Sequence, residues 1–357
     1  MIAMNIPRWA KISLGIAVAV LIYNTNVFVR QRYGHVKWLE THPLQVHGDG
    51  TCADSIRVSE SLIEKAKSMR QQCQNSASPL RAYGSWGTRI ATATTHFSNP
   101  DNPQRFFQKG IETHILHSLI HGSRLHVLCT PIIDHMWNKQ AFVQSILLQE
   151  LAKPPQERLE WIFWADRDTV ILDYCRNPAS YIPAKSHRSY NAATEPTKEQ
   201  NLNLLITQDT RGLNAGVFLI RVCDWSVNFL SDVIAFRHFK PDVELPFDEQ
   251  TAMEQLLQED RYKDNVAYIP QPWINTYAWD TAEDFMNRKD VEGLDDWAAR
   301  KGDFLIHFAG NWNKELNLVE YADVGEKMFN IWQTRDILRD VSMDIDYFWG
   351  NFSNGQG

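Results

Sequence analysis

The chain has 357 residues, 44% of them hydrophobic and 22% charged, enough apolar material for one large core or two modest ones and too much for a disordered protein. Its 36 basic residues against 43 acidic ones leave a net charge of −7, which argues against a nonspecific nucleic-acid binder. The same charge repels an anionic substrate, so bound phosphate needs a cation beside it. Thirteen Trp, eleven Tyr and seventeen Phe supply many flat faces, most of them for the core and some able to stack on sugar rings.

At the amino terminus, Arg8 and Lys11 precede an apolar run from Ile12 to Tyr23, which Asn24-Thr25-Asn26 interrupt before Val27-Phe28-Val29. A spanning helix needs about 20 mostly apolar residues. Counted through Val29 the run makes a short span, and no small-x-small cleavage site follows it. Residues 1–29 are therefore expected to be a cytoplasmic tail and uncleaved signal anchor, with a lumenal body because basic residues precede the run. The alternative is a buried core helix. Residues 30–85 mix polar and charged residues, with helical spacing from Ile56 to Met69, and read as a stem.

From residue 86 strands and helices alternate. Arg89 to Phe97 reads as a strand, Asn99-Pro100-Asp101-Asn102-Pro103 as a turn cluster, and the residues to His121 as an amphipathic helix. Leu125 to Cys129 is the next strand and Trp137 to Leu151 the next helix, and Pro154-Pro155 breaks the chain before a strand from Leu159. Leu202 to Thr207 and Leu213 to Val222 are strand-like. Asp224 is placed to cap a helix through Phe236, and 246–258 form a helix opening with Pro246. Val266 to Ile269 and Phe304 to Phe308 are short strands, a last helix covers Val319 to Leu338, and a disordered tail follows Trp349. This order predicts an α/β fold, a Rossmann-like, mostly parallel sheet flanked by helices, in one domain over 86–345 with a tail at 346–357.

Five cysteines suit an oxidising compartment without requiring one. Cys52 and Cys73 flank a helical stretch and are placed to bridge each other. Cys129, Cys175 and Cys223 fall at strand ends, where buried free thiols are common. A sequon, Asn351-Phe352-Ser353, sits in the polar tail.

Residues 159–168, Leu-Glu-Trp-Ile-Phe-Trp-Ala-Asp-Arg-Asp, are the most informative segment. An apolar strand runs into Asp166 and Asp168, and in an extended backbone side chains at i and i+2 share a face. Two carboxylates held that close repel unless they share a proton or hold a cation between them. A divalent ion completed by substrate phosphates resolves the repulsion; an Asp-rich corner that caps the next segment is the alternative. In an open parallel sheet, ligands bind beyond the carboxyl ends of the strands, where these residues fall.

Four blocks occur in order: Trp161-Ile162-Phe163-Trp164-Ala165-Asp166-Arg167-Asp168, Gly212-Leu213-Asn214-Ala215-Gly216-Val217-Phe218-Leu219-Ile220-Arg221, Asp248-Glu249-Gln250 and His307-Phe308-Ala309-Gly310. Together, over about 86–335, they resemble glycosyltransferase family 34, the galactosyl, mannosyl and xylosyltransferases of the eukaryotic Golgi that include fungal α-galactosyltransferases. The resemblance implies a GT-A fold, a nucleotide-sugar donor, a divalent metal (usually manganese) and retention of anomeric configuration. It implies Asp166, Asp168 and His307 as metal ligands, His307 being otherwise a core histidine. Asn214 and Gly216 are expected at the donor, or else as a glycine-flanked strand bend. Asp248, Glu249 and Gln250 are expected to shape and stabilise the reacting sugar, or else to satisfy a helix N-terminus. Lys314 is expected to neutralise the diphosphate, or else to be solvated. Trp137 and Lys139 match a Trp-x-Lys pattern and are expected to position their helix rather than do chemistry. Arg167 and Glu249 depart from the family's usual Ala or Ser and Asp, and Arg167 is expected to point away from the metal.

The function expected on that resemblance is a Golgi type II membrane glycosyltransferase. It moves galactose from UDP-galactose onto a mannose-containing glycan in α linkage, by front-face attack or through a covalent intermediate on Asp248 or Glu249. The alternatives are an α-mannosyltransferase using GDP-mannose and a noncatalytic, glycan-binding scaffold subunit of a Golgi complex. Homo- and hetero-oligomers both remain open.

Overall fold

The apolar run at 161–165 has no polar face to offer solvent, so it demands a strand covered on both sides. A computed structural model describes residues 41–53, 56, 58–75, 88–98, 104–183, 198–311, 313–329 and 339–353, with 18, 21, 23 and 39. Its strands are β1 (Leu44–His47), β2 (Ile90–Thr95), β3 (Arg124–Leu128), β4 (Trp161–Ala165), β5 (Thr169–Ile171), β6 (Leu204–Asp209), β7 (Gly212–Arg221), β8 (Val266–Tyr268), β9 (Thr276–Tyr277) and β10 (Leu305–His307). The α-helices are α1 (Glu60–Asn75), α2 (Arg105–His121), α3 (Asn138–Leu151), α4 (Asp224–Phe239), α5 (Asp248–Leu256), α6 (Gln271–Ile274), α7 (Ala282–Asn287), α8 (Lys314–Ala322), α9 (Val324–Lys327) and α10 (Ser342–Ser353).

Seven strands form one sheet in the order β1-β3-β2-β4-β7-β6-β8, with β4 at its centre. The pairs β1–β3, β3–β2, β2–β4 and β6–β8 are parallel, and β7 runs antiparallel to both β4 and β6. The sheet is thus mixed and mainly parallel, as the alternating pattern predicts. A smaller sheet, β5-β10-β9, begins where β4 ends. Alternation along β4 feeds two cores. Trp161, Phe163 and Ala165 join Ile111, Ile115 and Leu119 of α2, while Ile162 and Trp164 join Phe142, Val143 and Ile146 of α3 and Phe229 of α4. Each fully buried aromatic there contributes roughly 1.5–3 kcal/mol of transfer free energy. A third cluster holds the small sheet against α8 through Val170, Ile306, Leu318 and Tyr321.

Residues 44–53 and 58–75, which mixed polarity assigns to a stem, are built into this fold. β1 is the edge strand beside β3, and its short, half-exposed Leu-Gln-Val-His pattern carries little apolar signal. Arg70 of α1 donates to the carbonyls of Leu119 and Ile120, satisfying orphan acceptors at the end of α2. The disulfides tie the same segment down and differ from the expected bridge. Cys52 pairs with Cys129 and Cys73 with Cys175, leaving Cys223 as the free cysteine among the described residues.

Other boundaries move. Cys223, not Asp224, precedes the first turn of α4, and the helix expected from Pro246 begins at Asp248. The single last helix is replaced by α8 and α9, with 330–338 outside the described residues. The tail is ordered through Ser353: Trp349 and Phe352 are buried, and the Trp349 indole donates to the Tyr181 carbonyl at 3.1 Å. The sequon therefore lies in a helix. The turn cluster 99–103 and the expected anchor lie outside the described residues, save Val18, Leu21 and Tyr23, which are helical and exposed. No helix among the described residues is long and apolar enough to cross a membrane.

The 102-residue separation closed by Cys73–Cys175 makes this bridge a large constraint on the unfolded chain. Replacing both cysteines by serine is expected to cost about 2–5 kcal/mol in urea unfolding, with the midpoint falling as in reduced wild type.

Candidate active site

Past Ala165 the backbone turns rather than staying extended, which corrects the geometry assumed for the two aspartates. Arg167 and Asp168 form the turn that leads into β5. The Asp166 amide donates to the Gly216 carbonyl at 2.8 Å, the Thr169 hydroxyl donates to the Asp166 carbonyl at 2.7 Å, and the Phe308 amide donates to the Asp168 carbonyl at 2.9 Å. With both peptide groups fixed, the carboxylates still converge. One donor atom each from Asp166, Asp168 and His307 lies within 4.8 Å of the others. The Arg167 guanidinium lies 3.9 Å from the centre of the Phe107 ring, where it gains a cation–π contact, and makes no ion pair with either aspartate among the described residues.

Two lysines balance the acids. The Lys139 ammonium lies 3.1 Å from the half-buried Asp166 and 3.3 Å from Glu249, with which it is buried, and also donates to the Ala215 carbonyl at 2.9 Å. Burial alone would lower the Lys139 pKa; Asp166 and Glu249 outweigh it and raise it. Glu249 is also pushed up, by burial first and by the nearby Asp166 anion, against the pull of Lys139. The lysine divides its charge between two acids and stays ionised, and the more deeply buried acid, Glu249, is the one whose pKa rises. Lys314, at the start of α8, pairs with Asp168 Oδ2. Burial would raise the Asp168 carboxyl, but His307 and Lys314 hold it well below the usual carboxylate range.

The orientation of His307 follows from a chain of hydrogen bonds that starts on the backbone. The Gly216 N–H, which can only donate, bonds to Asn214 Oδ1 at 2.9 Å, and Asn214 Nδ2 donates to the Asp209 carboxylate at 2.9 Å. The Asn214 amide therefore has one possible orientation. Its oxygen accepts from Asn275 Nδ2 at 3.0 Å, which leaves Asn275 Oδ1 as the acceptor for His307 Nδ1–H at 2.8 Å. The remaining ring nitrogen, Nε2, is left facing Asp168 Oδ1 at 3.5 Å. With Nδ1 committed to Asn275, Nε2 is the nitrogen that would offer its lone pair to a cation.

A bulge makes room for that chain. The register between β6 and β7 jumps between Ile206 and Thr207, so Ile206 pairs with Phe218 but Thr207 with Asn214. Residues 215–217 of β7 thus leave β6 and present their backbone to Lys139, Asn214 and Asp166. Gly216 cannot carry a side chain here, since a Cβ would stand 2.2 Å from His307 Cε1. The Gly-Leu-Asn-Ala-Gly block is therefore a scaffold for the histidine.

The expected donor-binding and catalytic residues divide. Asn214 is buried, with its amide occupied by Asp209, Tyr277, Gly216 and Asn275, so it positions His307 and is not free for a donor sugar. Gln250 Oε1 accepts from the Ala215 amide at 2.9 Å and holds the bulge. Asp248 is exposed with φ of 44°, and no hydrogen bond or ion pair joins it to the triad among the described residues. Glu249 is the member of that block tied to the acids, through Lys139. Lys139 itself does more than position a helix, and its place was readable: 139, 143, 146 and 150 share the buried face of α3, where a lysine must find a partner. Asn275 gave less signal, being one polar residue in an apolar stretch.

Two carboxylates and an imidazole form an oxygen–nitrogen donor set suited to a divalent cation. Asp166, Asp168 and His307 would hold the ion, with Asn275 behind the histidine.

A family model described as the galactosyl transferase GMA12/MNN10 family matches residues 90–316, more than half of the chain, and the chain belongs to that family. Galactomannan galactosyltransferase 1 of Cyamopsis tetragonoloba is 26% identical over 221 residues, covering 53% of this chain and 46% of that protein. The probable alpha-1,6-mannosyltransferase MNN10 of Saccharomyces cerevisiae is 23% identical over 196 residues, covering 49% of this chain and 48% of its own. The probable alpha-1,2-galactosyltransferase gmh1 of Schizosaccharomyces pombe is 25% identical over 202 residues, covering 51% and 55%. The chain spans about half the length of the curated relatives it matches.

Asn275→Leu, which removes the acceptor for Nδ1–H, is expected to weaken manganese binding about 10- to 100-fold by titration calorimetry while the protein stays folded. Gly216→Ala displaces the His307 ring and is expected to weaken binding at least as much. Unchanged affinity in both would show that the ring orientation does not matter to the ion.

Proposed function

We propose that the chain is a metal-dependent, retaining glycosyltransferase of GT-A architecture that transfers galactose from UDP-galactose to a mannose-containing glycan in α linkage. The observation that carries this reading is the convergence of Asp166, Asp168 and His307, with Nδ1 of the histidine committed to Asn275, at the carboxyl end of β4. Family membership supports the reaction class, and the names of two relatives support galactose. A divalent ion on these residues supplies Lewis-acid stabilisation of the departing diphosphate. Lys314 adds a fixed positive charge beside Asp168, and its ammonium can serve the diphosphate as well as the acid. Lys139 holds the Asp166 carboxylate in place.

Retention by front-face attack is the better supported route. Glu249 is held by Lys139 below the surface, Gln250 is held by Ala215, and Asp248 stands apart. None of the three is placed as a nucleophile. The two disulfides suit an oxidising lumen, and we place the chain as a Golgi type II protein anchored through 1–29. An α-mannosyltransferase using GDP-mannose is the second reading, on the likeness to a probable mannosyltransferase.

Manganese with UDP, at about 100 times Kd, is expected to stabilise the protein by about 2.7 kcal/mol, with no shift from GDP. Asp166→Asn combined with Asp168→Asn is expected to abolish that shift and transfer from UDP-galactose. A shift with GDP alone would replace the galactosyl reading with the mannosyl one. Retained transfer in the double variant would remove the metal from the account.

A further inference from the structure

An aromatic ladder leaves the candidate active site and ends at the surface. Tyr277 pairs with His307 across β9 and β10, and its ring meets the imidazole edge-on with centroids 5.9 Å apart. The Tyr277 ring lies 6.2 Å from that of Trp297, and Trp297 lies 5.3 Å from Trp279. The inner end is rigid. The Tyr277 hydroxyl donates to Asp209 and accepts from Asn214, its amide donates to the Trp297 carbonyl at 3.0 Å, and its carbonyl accepts from the Ala299 amide at 2.9 Å. The outer end is open. Trp279 is 48% exposed and Trp297 half-buried, the two rings are tilted 51° rather than stacked, and neither indole N–H has a partner among the described residues.

We propose that Trp279 and Trp297 form the platform on which a pyranose ring of the acceptor glycan stacks. The inference rests on the transferase reading above and adds which residues receive the acceptor. Packing accounts for Tyr277 but not for Trp279, whose exposed face and free N–H together match a ligand with an apolar ring face and hydroxyls at its rim. Beside Trp297 the carboxylates of Asp295 and Asp296 are exposed and can accept hydrogen bonds from sugar hydroxyls, while Asp280 beside Trp279 is paired with Arg288. Continuity with His307 sets the ligand within reach of the reacting centre.

The test uses the full chain with manganese and UDP-galactose, and α-linked and β-linked mannotriose as separate acceptors. For the accepted trisaccharide, Trp279→Ala is expected to raise the acceptor KM about tenfold, a loss of roughly 1.4 kcal/mol, while the donor KM stays within about twofold. Trp279→Phe, which keeps a flat face, is expected to recover most of the loss. Tryptophan emission of the wild type should titrate with the same trisaccharide, and the response should vanish in Trp279→Ala. An acceptor KM unchanged in both Trp279→Ala and Trp297→Ala, or a donor KM that rises in parallel, overturns the platform. A wild type that binds mannotriose by emission but consumes neither UDP-galactose nor GDP-mannose leaves the platform standing and sinks the transferase reading.

Discussion

One backbone amide governs the candidate site. The Gly216 N–H has no choice but to donate, and that single direction orients Asn214, then Asn275, then the ring of His307. Side-chain amides alone can flip, and a histidine between two flippable partners can present either nitrogen. Anchoring the chain at a peptide group, with the Asp209 carboxylate fixing the other end of Asn214, removes that freedom. The cost is a strand that leaves its register and a position where only glycine fits. Scaffold and site are thus one structure.

The second constraint is electrostatic. Asp166, Asp168 and Glu249 lie in a poorly solvated region in which an uncompensated carboxylate costs several kcal/mol. Lys139 answers two of them from below and Lys314 answers the third from the side. The two lysines differ in burial: the Lys139 side chain is 5% exposed and the Lys314 side chain 30%. The first is therefore a permanent part of the core. The second sits where it can exchange one anion for another, as binding a diphosphate requires.

Much of this was legible in the residues. The apolar run before Asp166 required a strand covered on both faces, and the alternation of strand and helix required a mainly parallel sheet. The carboxylates at the end of that strand identified the site, although the turn at Arg167 means that they converge for a different reason than strand periodicity. What stayed hidden was long-range. β1 has too little apolar signal to announce itself, and cysteine spacing does not encode pairing, so Cys52 and Cys73 looked like mutual partners when each reaches across to the body. Asn214 and Gln250 read as ligand-binding groups because an amide in a motif looks the same whether it faces substrate or backbone. Lys139 was the avoidable miss, since its helical phase places a charge on the buried face.

The central claim is that His307 Nε2, with Asp166 and Asp168, binds a divalent ion. Pulsed electron paramagnetic resonance of manganese on protein labelled with ¹⁵N-histidine tests it most directly. The account predicts hyperfine coupling from one directly bound imidazole nitrogen, present with wild type and absent from His307→Gln. No imidazole coupling in wild type, or the same coupling in the variant, would contradict it.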